Sequence, residues 1–192
     1  MLRENRCYFS ENFGWRMKVN RALLIFIFWC LFVSLFAGKY QKYIDLAERG
    51  DAKAQYQIGL CYATGNGIKQ DWEQAVSWYH KSARQGNSFA QYELCLCYKD
   101  GRGINKDYKQ AELWLRKALE QNNVDAQVFA GLCFYIGIVF KKDLSQAVSL
   151  FLKAAEQGNA DAQYCLGLCY VEGQGVPQNW DKAVFWLRKS AE

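Results

Sequence analysis

The chain aligns with itself at a shift of 36 residues. Ala54, Ala90, Ala126 and Ala162 are evenly spaced, and each is followed by glutamine. Tyr62, Tyr98, Phe134 and Tyr170 keep the same interval, as do Gly65, Gly101, Gly137 and Gly173. So do Ala75, Ala111, Ala147 and Ala183, and likewise Lys81, Lys117, Lys153 and Lys189. Trp78, Trp114 and Trp186 share a column whose third member is Leu150. Agreement over so many columns is not chance, and it dictates an array in which each unit packs on its neighbours in the chain. Of the 15 glycines, all but Gly14 and Gly38 fall on repeat columns or at unit ends, so they mark recurring backbone corners.

Each unit reads as two helices. Ala54, Ile58 and Cys61 stand at i, i+4 and i+7 with Tyr62 beside them, one apolar stripe of a helix. Gly65 ends it, because glycine takes a left-handed cap without steric cost. The second helix is expected to begin at Asp71, with Gln74 three residues on in the manner of a capping box. Asp107 with Gln110 and Asp143 with Gln146 repeat the pattern, and Asn179 substitutes in the fourth unit. Ala75, Trp78, Tyr79 and Ser82 form the second stripe. Small residues at Gly59, Gly131 and Gly167 let the two helices approach. One helix pair cannot bury both stripes, so the units must stack.

The net charge of +5 is unevenly spread. Residues 1–39 hold six basic and two acidic side chains, which leaves the rest of the chain nearly neutral. Nucleic-acid binding needs a sustained positive field, and the body does not supply one. Residues 22–38 form an uncharged apolar run of 17 between Arg21 and Lys39. As a helix it spans roughly 25 Å, slightly short of a bilayer core. Three readings stay open: a cleaved secretory signal cut after Ala37, a retained anchor, or an internal hydrophobic helix. Numbering from Met17 makes a compact leader, which points to Met17 as the start of translation. A lipid-attached leader is excluded by Phe28 and Trp29 ahead of Cys30. Export, or tethering by an N-terminal helix with the basic start inside, is the expected location.

Residues 51–81 carry the string A-x-A-Q-Y-x-x-G-x-x-Y-x-x-G-x-G followed by D-x-x-x-A-x-x-W-Y-x-K. This resembles the Sel-one-like repeat (SLR) family, relatives of tetratricopeptide repeats with a 36-residue unit. The resemblance implies an all-α fold: a right-handed α/α superhelical solenoid of four helix-turn-helix repeats with a leading half-repeat. The divisions are then a leader over 1–38, a half-repeat helix over 39–50, and repeats over 51–86, 87–122, 123–158 and 159–192. It also implies a scaffold or adaptor for other proteins rather than an enzyme, with a β-lactamase-like hydrolase or an envelope assembly factor as alternatives.

Catalytic chemistry finds little support in the residues. Cys61, Cys97, Cys133 and Cys169 share a column, with Cys95 and Cys165 added, all on first helices. Neighbouring helix axes lie about 8 to 10 Å apart, farther than a disulfide reaches between Cα atoms, so buried packing is the expected role. The cysteine-rich relatives pair a first-helix cysteine with a second-helix one, which this chain lacks. Cys165 and Cys169 could face one ion, but a zinc site wants three or four ligands. His80 shares a column with Arg116, Leu152 and Arg188, which places it on the surface. No S-x-x-K occurs, so a serine hydrolase has no visible nucleophile motif. The Asp71 column reads as helix caps. No cofactor is expected.

By analogy with tetratricopeptide solenoids, first helices line the concave face. Two ladders run along it: Tyr56, Tyr92, Val128, Tyr164 and Leu60, Leu96, Leu132, Leu168. Such rows suit a protein or peptide partner, and equally suit the sealing of adjacent helices. In the third unit the Gly-x-Gly loop becomes Gly137-Ile138-Val139-Phe140. A β-branched residue in a left-handed position costs on the order of 1 to 2 kcal/mol, so that loop either changes path or carries strain. Ile138, Val139 and Phe140 are expected to form an exposed knob for a partner, or else to tuck onto the adjacent unit. In the fourth unit Phe185, Trp186 and Leu187 lack a following helix, so three expectations stay open: a sequence cut short, self-association through that repeat, or a partner docked there.

Overall fold

The computed structural model describes residue 41 and residues 43–192. The leader, with its signal or anchor segment, lies outside the described residues. Residues 43–48 are helical. Eight helices follow in antiparallel pairs: α1 (Ala52–Thr64) with α2 (Trp72–Arg84), α3 (Ser88–Asp100) with α4 (Tyr108–Glu120), α5 (Val124–Ile136) with α6 (Leu144–Glu156), and α7 (Ala160–Glu172) with α8 (Trp180–Ser190). Each pair packs on the next, as in an α/α solenoid.

The helix ends follow from the repeat. Asp71, Asp107, Asp143 and Asn179 accept backbone N–H groups at the starts of α2, α4, α6 and α8. Asp51, Asn87, Asn123 and Asn159 do the same for the first helices. Gly65, Gly101, Gly137 and Gly173 close the first helices in the left-handed conformation, each N–H donating to the carbonyl of the column cysteine.

Within a unit, glycine and a bulky residue interlock. A Cβ at Gly131 would stand 2.5 Å from the Phe151 ring, and at Gly167 2.7 Å from Leu187. In the second unit Cys95 fills the glycine position, and the residue opposite is Leu115, smaller than Tyr79 or Phe151 though the same as Leu187.

Glutamines stitch the stack together. Gln55, Gln91 and Gln163 are buried and donate to the Ala47, Ala83 and Ala155 carbonyls of the preceding unit at 3.0, 3.1 and 3.1 Å. Gln85, Gln121 and Gln157 in turn donate to the side-chain carbonyls of Gln55, Gln91 and Gln127 at 2.7, 2.7 and 2.8 Å. Buried amides are thus satisfied by one another and by backbone, as a close-packed interior requires.

The step from the second unit to the third is different. Leu119 stands where the neighbouring units have Ala83 and Ala155, and the backbones of α4 and α5 lie farther apart than those of α2–α3 or α6–α7. Gln127 makes no bond to the Leu119 carbonyl. Asn122 takes φ 55 and Val139 takes φ 68, where the other units have glycine. A Cβ at Gly103 or Gly175 would lie 2.2 or 2.3 Å from a carbonyl oxygen of the preceding unit. Val139 therefore keeps the repeat's left-handed loop path and carries the strain, at the one step wide enough to admit its side chain.

Candidate protein-binding face

The first helices present a face whose centre is aromatic. Tyr56 of α1 lies 5.8 Å from Phe89 of α3 and 6.1 Å from Tyr79 of α2 between ring centroids. Tyr92 of α3 meets Phe129 of α5 edge-on at 5.9 Å. Beside Tyr56 and Phe89 a groove of about 540 Å³ is lined also by Lys53, Gln57, Asn87 and Gln121. Phe89 is 53% exposed, Tyr56, Tyr92 and Phe129 are half-buried, and Tyr79 is enclosed.

Charge accompanies the rings. Glu93 is half-buried on α3, and burial raises its pKa; Arg102 opposes the shift and Asp125 adds to it. Burial likewise raises the Tyr56 and Tyr92 phenols, with Glu93 and Asp125 contributing to both. Both carboxylates therefore act on the same rings.

The expected ladder residues all lie on first helices. Tyr56, Leu60, Tyr92, Leu96, Val128 and Leu168 are half-buried, so each presents only part of its surface, while Leu132 and Tyr164 are exposed. Phe89, Glu93 and Phe129 belong to this face too, yet the columns did not mark them. Position by position they align with Lys53, Gln57 and Cys165 or with acidic residues, and a search for recurring residue types passes over such places.

The description of the Sel1 repeat matches residues 52–87, 88–123, 124–159 and 160–192. The chain belongs to the Sel1 repeat family. Among solved structures it is similar to a Sel1 repeat protein from Oxalobacter formigenes, 34% identical with a TM-score of 0.75 over 84% of this chain and 68% of that one. It is also similar to a protective antigen of uropathogenic Escherichia coli with an SLR fold, 37% identical with a TM-score of 0.75. That match covers 79% of this chain and about a third (32%) of the antigen. No protein of curated function matches the sequence significantly.

In this Sel1 repeat chain the third-unit loop does not form the expected knob. Phe140 is only 5% exposed, stacked on Phe134 at 4.3 Å with the Arg116 guanidinium 4.9 Å from its ring centre. Val139 is half-buried against the same core. Ile138 alone of the three is exposed, at 42%. The apolar side chains tuck in because the wider unit step leaves room beneath them.

His80 is half-buried in its Sel1 unit rather than fully on the surface. Its Nε2 lies 3.2 Å from the Tyr98 hydroxyl, and its ring stands edge-on to Trp114 at 5.6 Å. Burial lowers its pKa, with Arg84 adding to the effect. Cys95, Cys97, Cys133, Cys165 and Cys169 are free thiols. Burial pushes Cys97 up to about 12 and Cys133 and Cys169 up to about 11, so at neutral pH they are protonated packing groups rather than nucleophiles. Among the described residues no three potential ligands gather to hold a metal ion, and no helix is long and apolar enough to cross a membrane.

Proposed function

We propose that the chain is a scaffold that holds a protein segment against its first helices, and that residues 22–38 direct its export or tether it to a membrane. Sel1 repeat proteins are in general protein-interaction scaffolds. The observation that carries the reading is the pair of ring contacts on first helices, Phe89 with Tyr56 and Tyr92 with Phe129, with Phe89 exposed beside a groove. Rigid rings give contact area at little entropic cost. Tyr164 and Leu132 extend the face, and exposed Ile138 borders it in sequence. The apolar exposed side of α8, with Val184 at 53% and Phe185 at 57%, is a second place for association, including self-association.

The test is capture of partners by the full chain and by a Tyr92→Ala, Leu96→Ser double variant. Loss of capture by a variant that stays folded supports the face, and undiminished capture overturns it. The intact mass of the mature protein from fractionated cells decides between cleaved signal, retained anchor and a start at Met17.

A further inference from the structure

The outward side of α8 carries one continuous stripe. Asp181, Val184, Phe185 and Arg188 stand at i, i+3, i+4 and i+7, all exposed, and with Lys189 and Glu192 they line a groove of about 520 Å³. Asp181 and Arg188, at the two ends of the stripe, make no ion pair among the described residues. The Lys189 ammonium lies 5.9 Å from the Phe185 ring centre and 5.4 Å from that of Trp186, yet Phe185 stays more than half exposed.

The stacking of units does not account for this stripe. In the earlier units the counterparts of Phe185 are Ser77, Leu113 and Ser149, and those of Asp181 are Glu73, Lys109 and Ser145. All are exposed although another unit follows each of them. Val76 and Val148, the counterparts of Val184, are by contrast buried where the next unit packs. The Phe185 column therefore faces away from the stack in every unit, and only in the fourth is it aromatic.

The stripe is complementary to itself. A copy laid antiparallel, with a two-fold axis between residues 184 and 185, sets Val184 against Phe185 and Asp181 against Arg188, and makes each contact twice. A parallel copy would instead oppose Asp181 to Asp181 and Arg188 to Arg188. From this charge complementarity we infer that α8 pairs with α8 of a second copy of the chain, antiparallel about a two-fold axis. The inference rests on the reading of α8 as a place for self-association and specifies its geometry. A helix of 11 residues is about 16 Å long. That is a smaller contact than stable dimers use, so the pair exchanges with monomer at micromolar concentrations.

Sedimentation of the full chain, held in mild detergent because of its apolar run, reads the association. The parent should pass from monomer to dimer as its concentration rises. Asp181→Arg and Arg188→Asp, each shown folded by its melting temperature, should dimerise about tenfold more weakly, since like charges then meet at both ends of the stripe. An equal mixture of the two variants should regain the parent's affinity, because each positive position then meets a negative one. A parent that stays monomeric overturns self-association as well as this pairing. Variants that dimerise like the parent, or a mixture no tighter than its components, overturn the pairing alone. Every one of these failures leaves the first-helix scaffold reading standing, which capture by the Tyr92→Ala, Leu96→Ser variant tests separately.

Discussion

Gly59 lies directly against the ring of Tyr79: a Cβ at residue 59 would stand 2.6 Å from Cδ1 and from Cε1. The ring is fully buried and is among the largest side chains so enclosed. Gly59→Ala should therefore destabilise the chain by about 1 to 3 kcal/mol, the usual penalty for overpacking. The second unit solves the same contact with Cys95 and Leu115. In a double-mutant cycle by urea denaturation, Gly59→Ala should cost less when combined with Tyr79→Leu than alone. Strict additivity would mean that the two sites do not share this space.

Gly103 and Val139 occupy equivalent corners, and substitution should affect them very differently. Gly103→Val forces both a left-handed β-branched residue and a Cβ against the Trp72 carbonyl, and should cost about 3 kcal/mol or more. Val139→Gly removes strain but also loses packing and adds unfolded-chain entropy, so it should fall within about 1 kcal/mol of the parent. Thermal melts of the two variants check the contrast.

Gln91 bonds on both sides, to the Ala83 carbonyl and to Gln121, whereas Gln127 bonds only to Gln157 among the described residues. Gln91→Leu leaves the buried Ala83 carbonyl unsatisfied, while exposed Gln121 can turn to water, and should cost about 2 kcal/mol. Gln127→Leu should cost less by roughly half. Equal losses in denaturation midpoint would show that the inter-unit bond contributes nothing.

Burial, and then Arg84, make His80 a weaker base in the folded chain than its ordinary value of 6.5. The unfolded chain then takes up a proton at higher pH than the folded one. Stability from this group is fully present above about pH 6.5 and is lost as pH falls through that value toward the lower folded one. Denaturation midpoints should decline between pH 7.5 and 5.5. His80→Leu, which borrows the residue at position 152, should flatten that decline; an unchanged slope would assign it to other groups.

The period of 36 made the helix pairs, the Gly65-type caps and the Asp71-type caps legible, because each recurs in every unit. The strain at Val139 was legible from the glycines it replaces. The inward turn of Phe140 was not, since an apolar residue type does not say which way a loop folds. His80 was misplaced because the residues that enclose it, Tyr98 and Trp114, come from the following unit. Phe89, Glu93 and Phe129 escaped notice because they break the columns, and it is at such breaks that units identical in scaffold differ in what they offer a partner.

The wider step between α4 and α5 has a last consequence. A uniform stack offers its side chains at constant spacing, and a partner with an evenly repeated motif could slide along it from one position to the next. Here one step differs from the other two: α4 and α5 approach less closely where Leu119 replaces alanine. The array is thus interrupted rather than strictly periodic, and the interruption gives its length a distinguishable middle.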